Sequence, residues 1–127
     1  MAFQKGQDTR RAMFAAARRR KPGEMNKTEA AYCAHLEAEH AAGRVAWFAF
    51  EGIKLRLADR SFLTMDFAVL PVDGGILELH DTKGSEHMIS EDAKVKMAVA
   101  AEHYPFIFKV AIPRKKRDGG GWAIRQV

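Results

Sequence analysis

The chain has 127 residues and a formal charge of +5 at neutral pH, enough for one domain and too little for two. With 47% hydrophobic and 29% charged residues the composition is that of a soluble globular protein, and no run approaches the ~20 apolar residues that span a bilayer. Cys33 is the single cysteine, which excludes intrachain disulfide scaffolds and cysteine-built zinc or iron–sulfur centres. Met1-Ala2-Phe3-Gln4-Lys5 lacks the apolar run of a secretory signal, so a cytoplasmic protein is expected.

The charge is unevenly spread. Residues 1–23 carry a net +6, residues 24–113 a net −5 and residues 114–127 a net +4. Basic ends suggest a polyanionic partner. An acidic body does not, unless its carboxylates hold metal.

In chain order, residues 1–24 read as a basic arm containing Arg18, Arg19 and Arg20, with residues 25–127 as the single folded domain. Asn26 and Glu29 have capping-box spacing and open a helix over residues 27–42, with Ala30, Cys33, Leu36 and Glu37 along one side. Gly43 stops it. Residues 45–50, rich in aromatic and branched side chains, form a strand. Residues 53–57 alternate apolar and basic, the mark of a half-exposed strand. Residues 61–70, apolar on both faces, read as one central strand. The Asp73-Gly74-Gly75 turn then leads into a strand over residues 76–83. Ser90 caps a helix to about His103, with Val95, Ala98 and Val99 as its apolar stripe. A buried strand over residues 105–112 and a short one over residues 122–126 close the chain. The expected fold is α/β, a mixed central sheet flanked by helices.

Asp66 stands in an apolar run with no other charge between Arg60 and Asp73. A buried unpaired carboxylate is very costly, so it needs a partner. Asp81 and Lys83 are two apart in the next strand and project from the same face. Two carboxylates and an ammonium at one point suit a hard divalent cation and a phosphate. The competing reading is an exposed Asp81–Lys83 ion pair with Asp66 at the surface. Glu78 and His80 lie on the other face of that strand and read as structural polar residues that meet solvent or contact the following helix or a partner subunit. His35, His40, His87 and His103 lack zinc-site spacing, and no Gly-rich phosphate loop with a Lys-Ser/Thr ending is present. Zinc hydrolase and NTPase readings are therefore poor.

The run Leu63-Thr64-Met65-Asp66-Phe67, followed after a turn by Asp81-Thr82-Lys83-Gly84, resembles the signature of the PD-(D/E)-x-K nuclease superfamily. Within it the chain is similar to small phage-encoded nucleases that overlap in style with Holliday-junction resolvases. Asn26-Lys27-Thr28-Glu29 resembles the opening acidic helix, and Asp92-Ala93-Lys94-Val95-Lys96-Met97 the helix that brings further lysines to the site. Met65 stands where the family usually has proline, and Asp81 replaces the commoner Glu. The resemblance implies a restriction-endonuclease-like core and a Mg²⁺-dependent endonuclease, with Mn²⁺ able to substitute. Asp66 would be the bridging carboxylate, and Asp81 and the Thr82 carbonyl further ligands. Lys83 would position the water, and Glu29 would reach the site from the first helix. Lys94 and Lys96 lie about 200° apart on a helix, so at most one faces the site, with Lys96 preferred.

The expected partner is DNA, whether duplex, branched or single-stranded, held by Arg18–Arg20, by Lys96 or Lys94 and by Arg114, Lys115, Lys116 and Arg117. A homodimer, a phage or prophage origin and action in the host cytoplasm complete the expectation. The rival is a non-catalytic nucleic-acid-binding protein that retained the nuclease fold.

Overall fold

The computed structural model describes residues 23–127; the expected contacts of Arg18, Arg19 and Arg20, and most of the basic arm, lie outside the described residues. Helix α1 (Lys27–Ala41) starts with the capping box: Asn26 Oδ1 accepts from the Glu29 N–H and Glu29 Oε1 from the Asn26 N–H, both at 2.8 Å. Its buried face is Ala30, Tyr32, Cys33 and Leu36. Glu37, expected on that side, is exposed. Gly43 ends the helix with a left-handed φ of 82°, a conformation glycine adopts without strain.

The central sheet has the order β1-β4-β5-β6-β7, formed by β1 (Val45–Phe50), β4 (Phe67–Pro71), β5 (Glu78–Thr82), β6 (Ile107–Pro113) and β7 (Trp122–Gln126). All neighbours are antiparallel except β5 and β6. A parallel pair needs a long crossover, supplied by α2 (Glu91–His103). Strands β2 (Lys54–Ala58) and β3 (Ser61–Thr64) form a separate hairpin. The fold is thus α/β with a mixed five-stranded sheet flanked by helices. No described helix is long and apolar enough to cross a membrane.

Residues 61–70 are therefore not one strand. The chain leaves one sheet and enters another at Met65–Asp66: Ser61–Thr64 pairs with β2, whereas Phe67 onward pairs with β1 and β5. The run is apolar throughout because its two halves serve different sheets. Met65, 2% exposed, fills the junction, and the Asp66 carbonyl accepts from the Glu51 N–H at 2.7 Å.

The sheet has a core on each face. On one, α1 packs Tyr32, Cys33 and Leu36 with Phe48, Phe67 and Val69. On the other, α2 packs Met97 and Ala100 with Leu55, Met65, Ala68, Leu79 and Phe108. The expected stripe on α2 is displaced. Val95 is 59% exposed, while Met97 and Ala100 are buried and Ala93 packs against them. Ala93, Met97 and Ala100 follow i, i+4, i+7 spacing, an equally good helical period. The alanines scattered round this helix leave the pattern ambiguous.

Glu78 and His80 do not meet solvent. His80 is 5% exposed, because α1 lies across that face. Its Nε2–H donates to Glu78 Oε1 (2.8 Å), and its Nδ1 is hydrogen-bonded to the Tyr32 hydroxyl (2.7 Å). Lys109 Nζ donates to Glu78 Oε2 at 3.2 Å. The His80 bond and Lys109 together hold the Glu78 carboxyl below the usual range. The chain of contacts bolts α1 to β5 and β6 on the face opposite Asp81. Tyr32→Phe leaves a buried imidazole nitrogen without its hydrogen-bond partner and should destabilise the fold by about 1–3 kcal/mol, measured by urea unfolding. An unchanged midpoint would show that the contact is idle.

Candidate active site

The start of β4 and the end of β5 meet at one end of the sheet. Phe67 is registered opposite His80 and Ala68 opposite Leu79. Continued by one residue, this register sets Asp66 opposite Asp81, on the same face. Lys83 follows one residue beyond β5, and its Nζ lies 3.1 Å from Asp81 Oδ2. Asp66 is fixed from the neighbouring strand: Oδ2 accepts from the Thr82 N–H (2.8 Å) and the Thr82 hydroxyl (2.9 Å). Asp81 and Thr82 are buried, at 8% and 5% exposure.

Burial is the main influence on both carboxyls and raises both pKa values. Each also feels the other. Their side chains are close enough to act on each other directly. Burial and the Asp66 charge push Asp81 up to about 6 against the pull of Lys83. The Thr82 N–H moderates the rise at Asp66, while Glu29 adds to it. Burial works against the Lys83 charge, but Asp81, Asp66 and Glu29 outweigh it and raise its pKa. Lys83 is thus a firmly protonated ammonium, poorly suited to general-base work.

A divalent cation would resolve the repulsion in this pair. The side-chain donors are all oxygen, as a hard cation requires. Among the described residues no group of three or more His, Cys, Asp and Glu side chains is gathered to hold a metal. The two carboxylates remain, and such a sparse set suits Mg²⁺, which usually keeps several waters. Glu29 acts on Asp66 and Lys83 through its charge. Its carboxylate accepts from the Asn26 N–H, so its contact is the helix cap.

Asp81 and Lys83 face a cleft of about 260 Å³, bounded by Phe62, Thr64 and Met65 on one side and Asp92, Lys96 and Met97 of α2 on the other. Lys96 lines this cleft, paired with Asp92 at 3.7 Å. Lys94 does not line it; it is bonded to Glu91 at 3.2 Å. Parallel pairing of β5 with β6 brings Pro113 to the same end of the sheet as Lys83. Arg114, Lys115, Lys116 and Arg117 follow there, before and within a single 3-10 turn (Lys116–Asp118). Arg114 is tied into that loop by donating to the Asp118 carbonyl at 3.1 Å.

No family model, curated protein or solved structure matches this chain. The site's chemistry therefore rests on its own geometry. Sequence reasoning passed over Phe62 and the Tyr32–His80–Glu78 contacts. The alternation of Glu78, His80 and Thr82 with Leu79 and Asp81 was the available signal that β5 carries polar groups on both faces.

A carboxyl with a folded-state pKa above its unfolded value binds its proton more tightly in the native state. For Asp81 that favours the fold below about pH 4, and the advantage drains away as pH rises toward 6. Without divalent cations, Asp81→Asn should therefore gain about 1–3 kcal/mol of stability above that window, with the gain shrinking as pH falls through it. Urea unfolding in EDTA across this range checks it. A variant less stable than wild type above pH 6 would contradict a repulsive pair.

Proposed function

We propose that this protein is a divalent-cation-dependent endonuclease that hydrolyses phosphodiester bonds in DNA, with a restriction-endonuclease-like core and a PD-(D/E)-x-K site. The observation that carries the reading is the facing of Asp66 and Asp81, with Lys83 on Asp81 and both Asp81 and Lys83 lining a cleft. Asp66, Asp81 and the Thr82 carbonyl would hold Mg²⁺ or Mn²⁺, which would supply Lewis-acid stabilisation of charge developing at phosphorus. Lys83, charged and half-buried, donates to a phosphate oxygen or orients the attacking water. Lys96 on the opposite wall and the basic turn at residues 114–117 draw the DNA backbone to the same end of the sheet. In-line attack by water leaves a 5′-phosphate and a 3′-hydroxyl, the outcome the family resemblance implies.

A pure nucleic-acid binder is the weaker reading. It has no use for two adjacent carboxylates beside a cleft that would receive phosphate, since they repel the ligand unless a cation lies between. Cleavage of supercoiled plasmid and of a branched junction, with Mg²⁺ and with EDTA, tests the proposal. Mg²⁺-dependent cutting is expected, and Asp66→Asn should lower its rate on the order of 100-fold or more. Lys83→Ala should lower the rate strongly while changing affinity in Ca²⁺ by no more than about 3-fold, since one phosphate contact is a small part of the footprint. Full Mg²⁺-dependent activity in Asp66→Asn would refute the site.

A further inference from the structure

The hairpin β2–β3 stands apart from the central sheet and has two unlike faces. Leu55 is buried, and Leu57 and Leu63 pack with it against the core of α2. The opposite face carries Lys54, Arg56, Phe62 and Thr64, all exposed. Cross-strand register pairs Lys54 with Thr64 and Arg56 with Phe62, so cations flank the aromatic ring. Lys54 Nζ sits over the Phe62 ring, 4.7 Å from its centroid. The hairpin is also held in place: Tyr104, at the end of α2, donates its hydroxyl to the Arg56 carbonyl at 2.6 Å.

A lone exposed phenylalanine is ordinary. Phe62 differs in its position and in the charge around it. It is 42% exposed and lines the same cleft as Asp81 and Lys83. Residues 24–113 are acidic overall, yet the segment from Lys54 to Thr64 carries Lys54, Arg56 and Arg60 against Asp59 alone. A cationic strand face with an aromatic ring on a cleft rim complements a polyanion that has flat apolar rings along it. Successive bases of single-stranded nucleic acid stack on such side chains while cations track the backbone. The bases of an intact duplex are already stacked on each other and cannot.

We infer that the outer face of the β2–β3 hairpin is a binding wall for single-stranded DNA, with Phe62 as the platform on which a base beside the phosphate over Lys83 stacks. This deepens the endonuclease reading and rests on it for the phosphate's location. The substrate class it selects is DNA with an unpaired segment at the cut, such as a flap, a splayed junction arm or a single strand.

The experiment measures anisotropy of a fluorescein-labelled oligothymidylate and of a blunt duplex of equal length, in EDTA so that neither is cut. Wild type should prefer the single strand. Phe62→Ala should weaken single-strand binding about 5- to 100-fold and duplex binding by less than about 2-fold, with circular dichroism unchanged. Phe62→Trp should keep the affinity, and its added fluorescence should be quenched on binding oligothymidylate. Equal losses on both ligands, no loss in Phe62→Ala, or an unquenched Trp would overturn the inference. Because binding is read without metal, absence of Mg²⁺-dependent cleavage would count against the endonuclease alone. Cleavage with no Phe62 effect on single-strand binding would overturn only the stacking wall.

Discussion

Two carboxyl groups are held face to face at one end of the sheet, where neither can relax away from the other. Asp66 is pinned by two hydrogen bonds from Thr82, and Asp81 is buried beside it on the adjacent strand. Like charges so close in a partly desolvated site are unfavourable. A fold that served stability alone would place an asparagine or an apolar residue at one of the two positions. Lys83 neutralises part of the charge and leaves a net negative site that faces a cleft.

The surrounding structure can be understood as what keeps that pair in register. The sheet switch at Met65–Asp66 lets one chain segment build the hairpin wall and then deliver Asp66 to the start of β4. On the far face, the Tyr32–His80–Glu78–Lys109 contacts tie β5 to α1 and to β6. His80 and Asp81 are neighbours pointing to opposite faces. Fixing His80 therefore fixes the backbone from which Asp81 and Lys83 project. Parallel pairing of β5 with β6 then carries the basic turn after Pro113 to the same end.

Much of this was legible in the sequence, for local reasons. The capping box at Asn26 and Glu29, the stop at Gly43 and the Ser90 cap are short-range signals, and the helices start where they indicate. The i, i+2 spacing of Asp81 and Lys83 dictates a shared face in any extended chain, and the two are in contact. Asp66 drew notice as the lone charge in an apolar run. What was not legible depends on partners distant in sequence. Nothing local tells that the strand-like run through residues 61–70 divides between two sheets. His80 looked solvated because the helix that covers it lies 48 residues earlier. The face of α2 was misread because alanines give it no strong side, and only the position of the hairpin selects Ala93, Met97 and Ala100. Phe62 looked like core because the hairpin's outer face does not exist until β2 and β3 pair.

The central claim is that Asp66 and Asp81 together form a cation site. Its most direct measurement is isothermal titration of Mn²⁺ into the wild-type protein and into the double variant Asp66→Asn/Asp81→Asn, near neutral pH. The account predicts saturable binding to wild type, with proton release that grows as pH falls toward the Asp81 pKa of about 6, because a carboxylate ligand must give up its proton. The double variant should show neither. Equal binding to both proteins, or no binding to wild type, would contradict it.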